Sequence, residues 1–84
     1  MTAPAEELRV LVEEVVSPLI DNPSELEVTS SEEGNDLLIE ITVNPDDAGK
    51  VIGRQGRVIK SIRTLARAAA TRKGINVDVE LIDD

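Results

Sequence analysis

Apolar residues Leu8, Leu11, Val12, Val15, Val16, Leu19 and Ile20 recur at three- and four-residue steps, the spacing that collects side chains on one face of a helix. Pro4 suits the first turn of that helix, where no N–H is needed, and Glu6 and Glu7 suit its positive dipole end. Pro18 should bend or shorten the last turn, and Asp21-Asn22-Pro23-Ser24 ends it. The period then changes to two. Leu26 and Val28 alternate with Glu25, Glu27 and Thr29, which predicts a short strand, and the polar run from Ser30 to Asp36 reads as a turn. Leu37, Ile39, Ile41 and Val43 alternate with Leu38, Glu40 and Thr42, a strand with one dry face.

Asn44-Pro45-Asp46-Asp47 has the form of a helix start, with Asn as cap, Pro at the first position and carboxylates on the free amides. After the Asn-Pro pair, these acids read as local structure rather than magnesium ligands. That helix is brief and ends at the glycines. A second helix is predicted from about Arg57 to Lys73, closed by Gly74, and Ile75, Val77, Val79 and Leu81 then alternate with polar residues as a last strand. The predicted fold class is α+β, in the order α-β-β-α-α-β. Its three strands would form a mixed sheet covered on one face by three helices. The helix pair makes a parallel, right-handed crossover between the second and third strands.

At 84 residues the chain is expected to be one domain, 1–84, with a core of Val, Ile, Leu and Ala, since Phe, Tyr and Trp are all absent. No Cys and no His leave little for nucleophilic or metal chemistry, and the serines lack an evident base, so an enzyme is not expected. Neither a cofactor nor a small-molecule substrate is implied. No apolar run approaches the ~18 residues of a membrane span, and the N-terminus does not read as a signal peptide, so a soluble cytoplasmic protein is expected.

Charge changes the picture. The net charge is −8, which argues at first against a nucleic-acid partner. Yet residues 1–49 hold thirteen acids against Arg9 alone, and residues 74–84 hold four acids and no base. Between them Lys50, Arg54, Arg57, Lys60, Arg63, Arg67, Arg72 and Lys73 form a segment of +8 with no acid. Beyond a Debye length of ~8 Å the two signs are largely screened from each other.

At 100° per residue the second helix groups Arg57, Lys60, Arg63 and Arg67 on one arc, and Val58, Ile59, Ile62, Leu65, Ala66 and Ala69 on the opposite one. The basic stripe begins beside Gly53-Arg54-Gln55-Gly56. There the glycines let a backbone approach, amides at the helix start donate, and Arg54, Arg57 and Lys60 add charge. Neither a P-loop nor a dinucleotide fingerprint fits the spacing of Gly49, Gly53 and Gly56.

The run Val51-Ile-Gly-Arg-Gln-Gly-Arg-Val-Ile-Lys-Ser-Ile-Arg-Thr-Leu65, with the element order, resembles a KH domain of the type II, prokaryotic arrangement. With "PDDAGKVIGRQGR" and "IRTLARAAA" it is similar to the small single-domain bacterial KH proteins of the KhpA type. The resemblance implies a cleft for about four single-stranded RNA nucleotides, clamped by Gly53, Arg54, Gln55 and Gly56. It also implies association with itself or with a second KH-containing protein, and a role as an RNA chaperone or post-transcriptional regulator.

If the strands turn their apolar residues inward, Glu25, Glu27, Glu40, Asp78 and Glu80 project from the open face and repel phosphate. RNA is then expected at the helix-loop-helix edge, with bases resting on Val51, Ile52, Val58 and Ile59, and base reading by backbone groups of the neighbouring strand. The candidate RNA-binding set is residues 51–60 with Arg63. The rival reading is a protein-interaction module whose basic helix binds an acidic or KH-containing partner. Val10, off the main stripe of the first helix, is a candidate exposed contact.

Overall fold

The computed structural model of the chain describes residues 3–82; Met1, Thr2, Asp83 and Asp84, the ends of the expected 1–84 unit, lie outside the described residues. Helix α1 (Ala3–Val16) buries Leu8, Val12 and Val16 of the stripe read from the sequence, together with Ala5, whereas Leu19 of that stripe lies beyond the helix and is exposed. Pro18 shortens the helix, as its position suggests: Ser17–Leu19 is a 3-10 turn, so α1 ends at Val16, ahead of the expected stop at residues 21–24. Arg9, the cation of the acidic half, reaches Glu6 at 2.6 Å and Glu13 at 2.7 Å along the same helix. Val10 is half-buried rather than exposed.

Strand β1 (Glu27–Glu33) is longer than predicted and starts later, because Pro23–Glu25 forms a 3-10 turn and Leu26 lies outside the strand. The expected turn over 30–36 shrinks to Gly34 and Asn35, with Gly34 at φ 62° and Glu33 paired with Asp36. The reason is the partner strand: all seven residues of β1 pair antiparallel with β2 (Asp36–Thr42), and this ladder overrides the weak local signal of Ser and Glu. Inner positions Ser30 and Glu32 pair with Ile39 and Leu37, so only Val28 of β1 is buried and no apolar alternation marks the strand's second half.

Strand β3 (Asn76–Leu81) pairs parallel with β2, giving the sheet order β1-β2-β3. Leu37 opposes Val77 and Ile39 opposes Val79, so one face carries the core and the other carries Glu27, Thr29, Glu40, Asp78 and Glu80. Glu25, also expected there, lies in the preceding 3-10 turn and accepts from Asn44 Nδ2 at 2.8 Å.

Two helices join β2 to β3. Asn44 Oδ1 caps the turn Pro45–Asp47 by accepting from the Asp46 amide at 2.8 Å, and α2 (Ala48–Ile52) follows. Helix α3 (Arg57–Thr71) stops two residues before the predicted end and buries Ile59, Ile62, Ala66 and Ala70. Leu65, expected on the buried arc, is 45% exposed, because the buried line runs through Ala66 and Ala70 and leaves Leu65 at the border with α1. The core is aliphatic, centred on Ile39 and Ile41 of the middle strand, each fully buried. At about 1.5–3 kcal/mol per buried side chain, this layer supplies the main stabilisation, and Ile39→Ala would cost about 2–5 kcal/mol.

Candidate nucleic-acid interface

Helix α2 spans five residues and leads directly into the glycine turn. Gly53 adopts φ 76°, ψ 175°, a region essentially restricted to glycine, and its amide donates to Gly49 O at 2.8 Å. An added Cβ there would meet Val58 Cγ2 at 2.3 Å and Val58 N at 2.9 Å, so Gly53 is also required by the close approach of the first turn of α3. Gln55 follows at φ 57°, ψ 25° and Gly56 at φ 73°, ψ 16°. The backbone thus enters positive φ twice within four residues, just before the start of α3.

Amides at this helix start are only partly available. Gly56 N–H donates to Gly53 O at 3.2 Å and the Arg57 amide donates to Arg54 O, so two of the expected donors are held within the turn. The side chains of Arg54, Gln55, Arg57 and Lys60 are exposed, and Arg57 Nη2 donates to Gln55 Oε1 at 3.0 Å. Among the described residues no carboxylate pairs with Arg54, Arg57 or Lys60.

Apart from Arg72, which has no carboxylate partner among the described residues, the rest of the predicted cationic segment is not free. Arg63, half-buried, donates from Nε to the Val79 carbonyl at 2.8 Å, and Arg67 pairs with Asp78 at 3.4 Å. Asp78 Oδ1 also accepts the Val79 amide at 3.0 Å, so both backbone groups of Val79 on the edge strand are occupied. Backbone reading of a base at that residue would have to displace them. Lys73 pairs with Glu7 of α1, and Lys50 pairs with Asp21 at 2.6 Å and Asp47 at 3.3 Å. Hydrogen bonding to Asp21, then to Asp47, raises the Lys50 ammonium above its ordinary range.

Of the apolar candidates, Ile52 is 37% exposed and Val58 half-buried. Val51 and Ile59 lie in the core at 0% and 7% exposure, so they support the turn from below and offer no surface to a base.

The residue that sequence reading missed is Asp47, the buried charged side chain of the core. Burial works against its charge, but hydrogen bonds from the Asp21 amide, the Asn22 side chain and amide, and Lys50 outweigh it, and its carboxyl is held below the ordinary aspartate range. A signal was present: Asp47 stands four residues before Val51, so an inward Val51 brings Asp47 to the same helix face.

A Gly-x-x-Gly turn between a five-residue helix and a long one, the pair connecting the parallel strands of a three-stranded mixed sheet, defines a KH domain. The family model for the KhpA/KhpB KH domain matches residues 9–81, and the chain belongs to that family. It is 42% identical over 76 residues to the RNA-binding protein KhpA of Halalkalibacterium halodurans, covering 90% of this chain and 100% of the relative. It is 44% identical over 72 residues to the RNA-binding protein KhpA of Caldanaerobacter subterraneus subsp. tengcongensis, covering 86% and 96%. The fold is shared with Era of Aquifex aeolicus at a TM-score of 0.64 and 22% identity, over 100% of this chain and 33% of that one.

Among the described residues, no helix is long and apolar enough to cross a membrane, and no group of three or more His, Cys, Asp or Glu could hold a metal.

Proposed function

We propose that the chain binds single-stranded RNA, with the sugar-phosphate backbone passing over Gly53–Gly56. The observation that carries this reading is the turn itself: positive φ at Gly53, Gln55 and Gly56, opening onto α3 beside three cations without carboxylate partners among the described residues. With the Gly53, Gly56 and Arg57 amides held internally, the change of hand at Gln55 leaves the amides of Arg54 and Gln55 to face an anion. Relatives named as RNA-binding proteins support the same assignment. Arg54, Arg57 and Lys60 supply the charge, and Ile52 and Val58 the apolar rest for bases. With no aromatic side chain to stack a base, at about 1–3 kcal/mol each, affinity is expected nearer micromolar than nanomolar.

The test is the double variant Arg54→Asp with Gln55→Asp, checked for folding by far-UV circular dichroism and titrated with a fluorescein-labelled mixed-sequence RNA octamer. The wild type is expected to bind with a log-log salt slope of about −2, from three phosphate contacts at about 0.7 each. The variant should fold and lose binding. Undiminished binding by the folded variant would end the clamp assignment.

A second reading, association with another copy or another KH-containing protein, is favoured by Leu19 and Leu65, 41% and 45% exposed beside Val15 and Val58. The family's pairing of KhpA with KhpB in one model is consistent with it.

A further inference from the structure

Asp47 is fully buried, and a buried carboxylate is costly unless its lone pairs are satisfied. Its Oδ1 accepts the Asp21 amide at 3.1 Å and Lys50 Nζ at 3.3 Å, and its Oδ2 accepts the Asn22 amide at 3.0 Å and Asn22 Nδ2 at 3.1 Å. Lys50 Nζ closes the network on Asp21 Oδ2 at 2.6 Å. Two segments far apart in sequence are joined here: the connection leaving α1, and the turn that begins α2.

Helix α2 has only five residues, too few to hold a helical conformation or a direction unaided. Its direction is set by what it is tied to. Asn44 caps the turn before it, Val51 is sunk in the core, and the Asp47 network fixes its first turn to residues 21 and 22. The Gly53 amide hangs from Gly49 O at the other end of the same helix, so a rotation of α2 moves the turn.

From this geometry we infer that Asp47 is a positioning residue for the Gly-x-x-Gly turn and that Lys50 is its counter-ion, not a ligand of phosphate. The inference rests on the reading that the turn receives the polynucleotide backbone. It divides the cationic segment by role: Lys50, within α2, serves the fold of the clamp, while Lys60 serves the ligand.

The experiment compares wild type, Asp47→Asn, Asn22→Ala, Lys50→Gln and Lys60→Gln. Each is titrated with the labelled mixed-sequence RNA octamer over a range of salt, at a temperature where the circular dichroism spectra superimpose, with 1H–15N spectra recorded for each. Asp47→Asn is expected to weaken binding five- to tenfold with an unchanged salt slope and to shift the Gly53 and Gly56 amides. Lys50→Gln should weaken binding with an unchanged slope, whereas Lys60→Gln should reduce the slope by about 0.7.

A purely structural role would lower the melting temperature of Asp47→Asn while leaving the folded protein's affinity and its Gly53 and Gly56 amides unmoved, and that result overturns the positioning role. A slope reduced by about 0.7 in Lys50→Gln overturns the counter-ion assignment. Should Asp47→Asn fail to fold, Asn22→Ala removes one donor and keeps the backbone; shifted Gly53 and Gly56 amides support the role and unshifted ones refute it. If the wild type binds no octamer, the RNA reading fails by itself, and the glycine amides of Asp47→Asn still decide whether the network positions the turn.

Discussion

Replacing Gly53 by alanine perturbs the turn in two ways that can be sized separately. The first is conformational: φ 76°, ψ 175° is open to glycine and costs another residue about 1–3 kcal/mol. The second is steric. The new Cβ would stand 2.3 Å from Val58 Cγ2, 2.8 Å from Val58 Cβ and 2.9 Å from Val58 N. The methyl can rotate away, but the nitrogen belongs to the first turn of α3 and yields only if that turn unwinds, which adds about 1–3 kcal/mol of overpacking. The expected loss is therefore about 2–6 kcal/mol. A domain of this size has roughly 4–12 kcal/mol of stability in total, so the loss is a large share of it.

Gly56 provides the internal comparison. It sits at φ 73°, ψ 16°, also left-handed, but a Cβ there meets nothing within 4 Å. Gly56→Ala should cost only the left-handed penalty of about 1–2 kcal/mol. Urea unfolding followed by far-UV circular dichroism measures both, and the absence of Trp rules out fluorescence. Adding Val58→Ala to Gly53→Ala should recover about 1 kcal/mol relative to the sum of the single changes, because it removes the Cγ2 contact, the shortest of the three, and leaves those to Cβ and the nitrogen. Equal destabilisation by Gly53→Ala and Gly56→Ala, within about 0.5 kcal/mol, would refute the close approach of Gly53 to α3.

Two further expectations follow from the same contacts. The Asp47 carboxyl is held below its ordinary value of about 3.9 by its hydrogen bonds, so its contribution is fully present above that pH and fades as pH falls through the depressed folded value. Urea midpoints from pH 7 down to pH 3 should therefore converge for wild type and Asp47→Asn; parallel curves would contradict the assignment. Leu65→Gln at the α1–α3 border should change stability by no more than about 0.5 kcal/mol, since the side chain is 45% exposed, yet should reduce any self-association seen by sedimentation equilibrium. An unchanged mass distribution for a wild type that does self-associate would remove this patch from the second reading.

What the sequence made legible had a local cause. The first helix, the last helix and the second and third strands each carry a full period of apolar residues, and the glycine turn carries its own backbone requirement. The extent of β1 was hidden because its inner positions beyond Val28 are Ser30 and Glu32, held in register by β2 rather than by burial. Leu65 falls on the apolar arc of α3, yet where α1 lies against α3 decides which part of that arc is covered. Asp47 differs from Asp46 in the chain only by standing four residues before Val51. The rotation of α2 and the arrival of residues 21 and 22 turn that spacing into burial.

The same tertiary contacts change what the +8 segment means. Lys50, Arg67 and Lys73 have carboxylate partners on distant segments, and Arg63 is held by a backbone carbonyl. Of the eight cations, those without such partners among the described residues are Arg54, Arg57, Lys60 and Arg72, and the first three lie in or within four residues of the glycine turn. The acids of this chain therefore do more than set its net charge. By pairing with Lys50, Arg67 and Lys73 they leave three of the four unpaired cations in or near the turn, and with screening over ~8 Å an approaching phosphate would meet that local charge rather than the −8 of the whole. On the proposed function, acidity suppresses diffuse binding along the helix and confines a polynucleotide to the glycine turn.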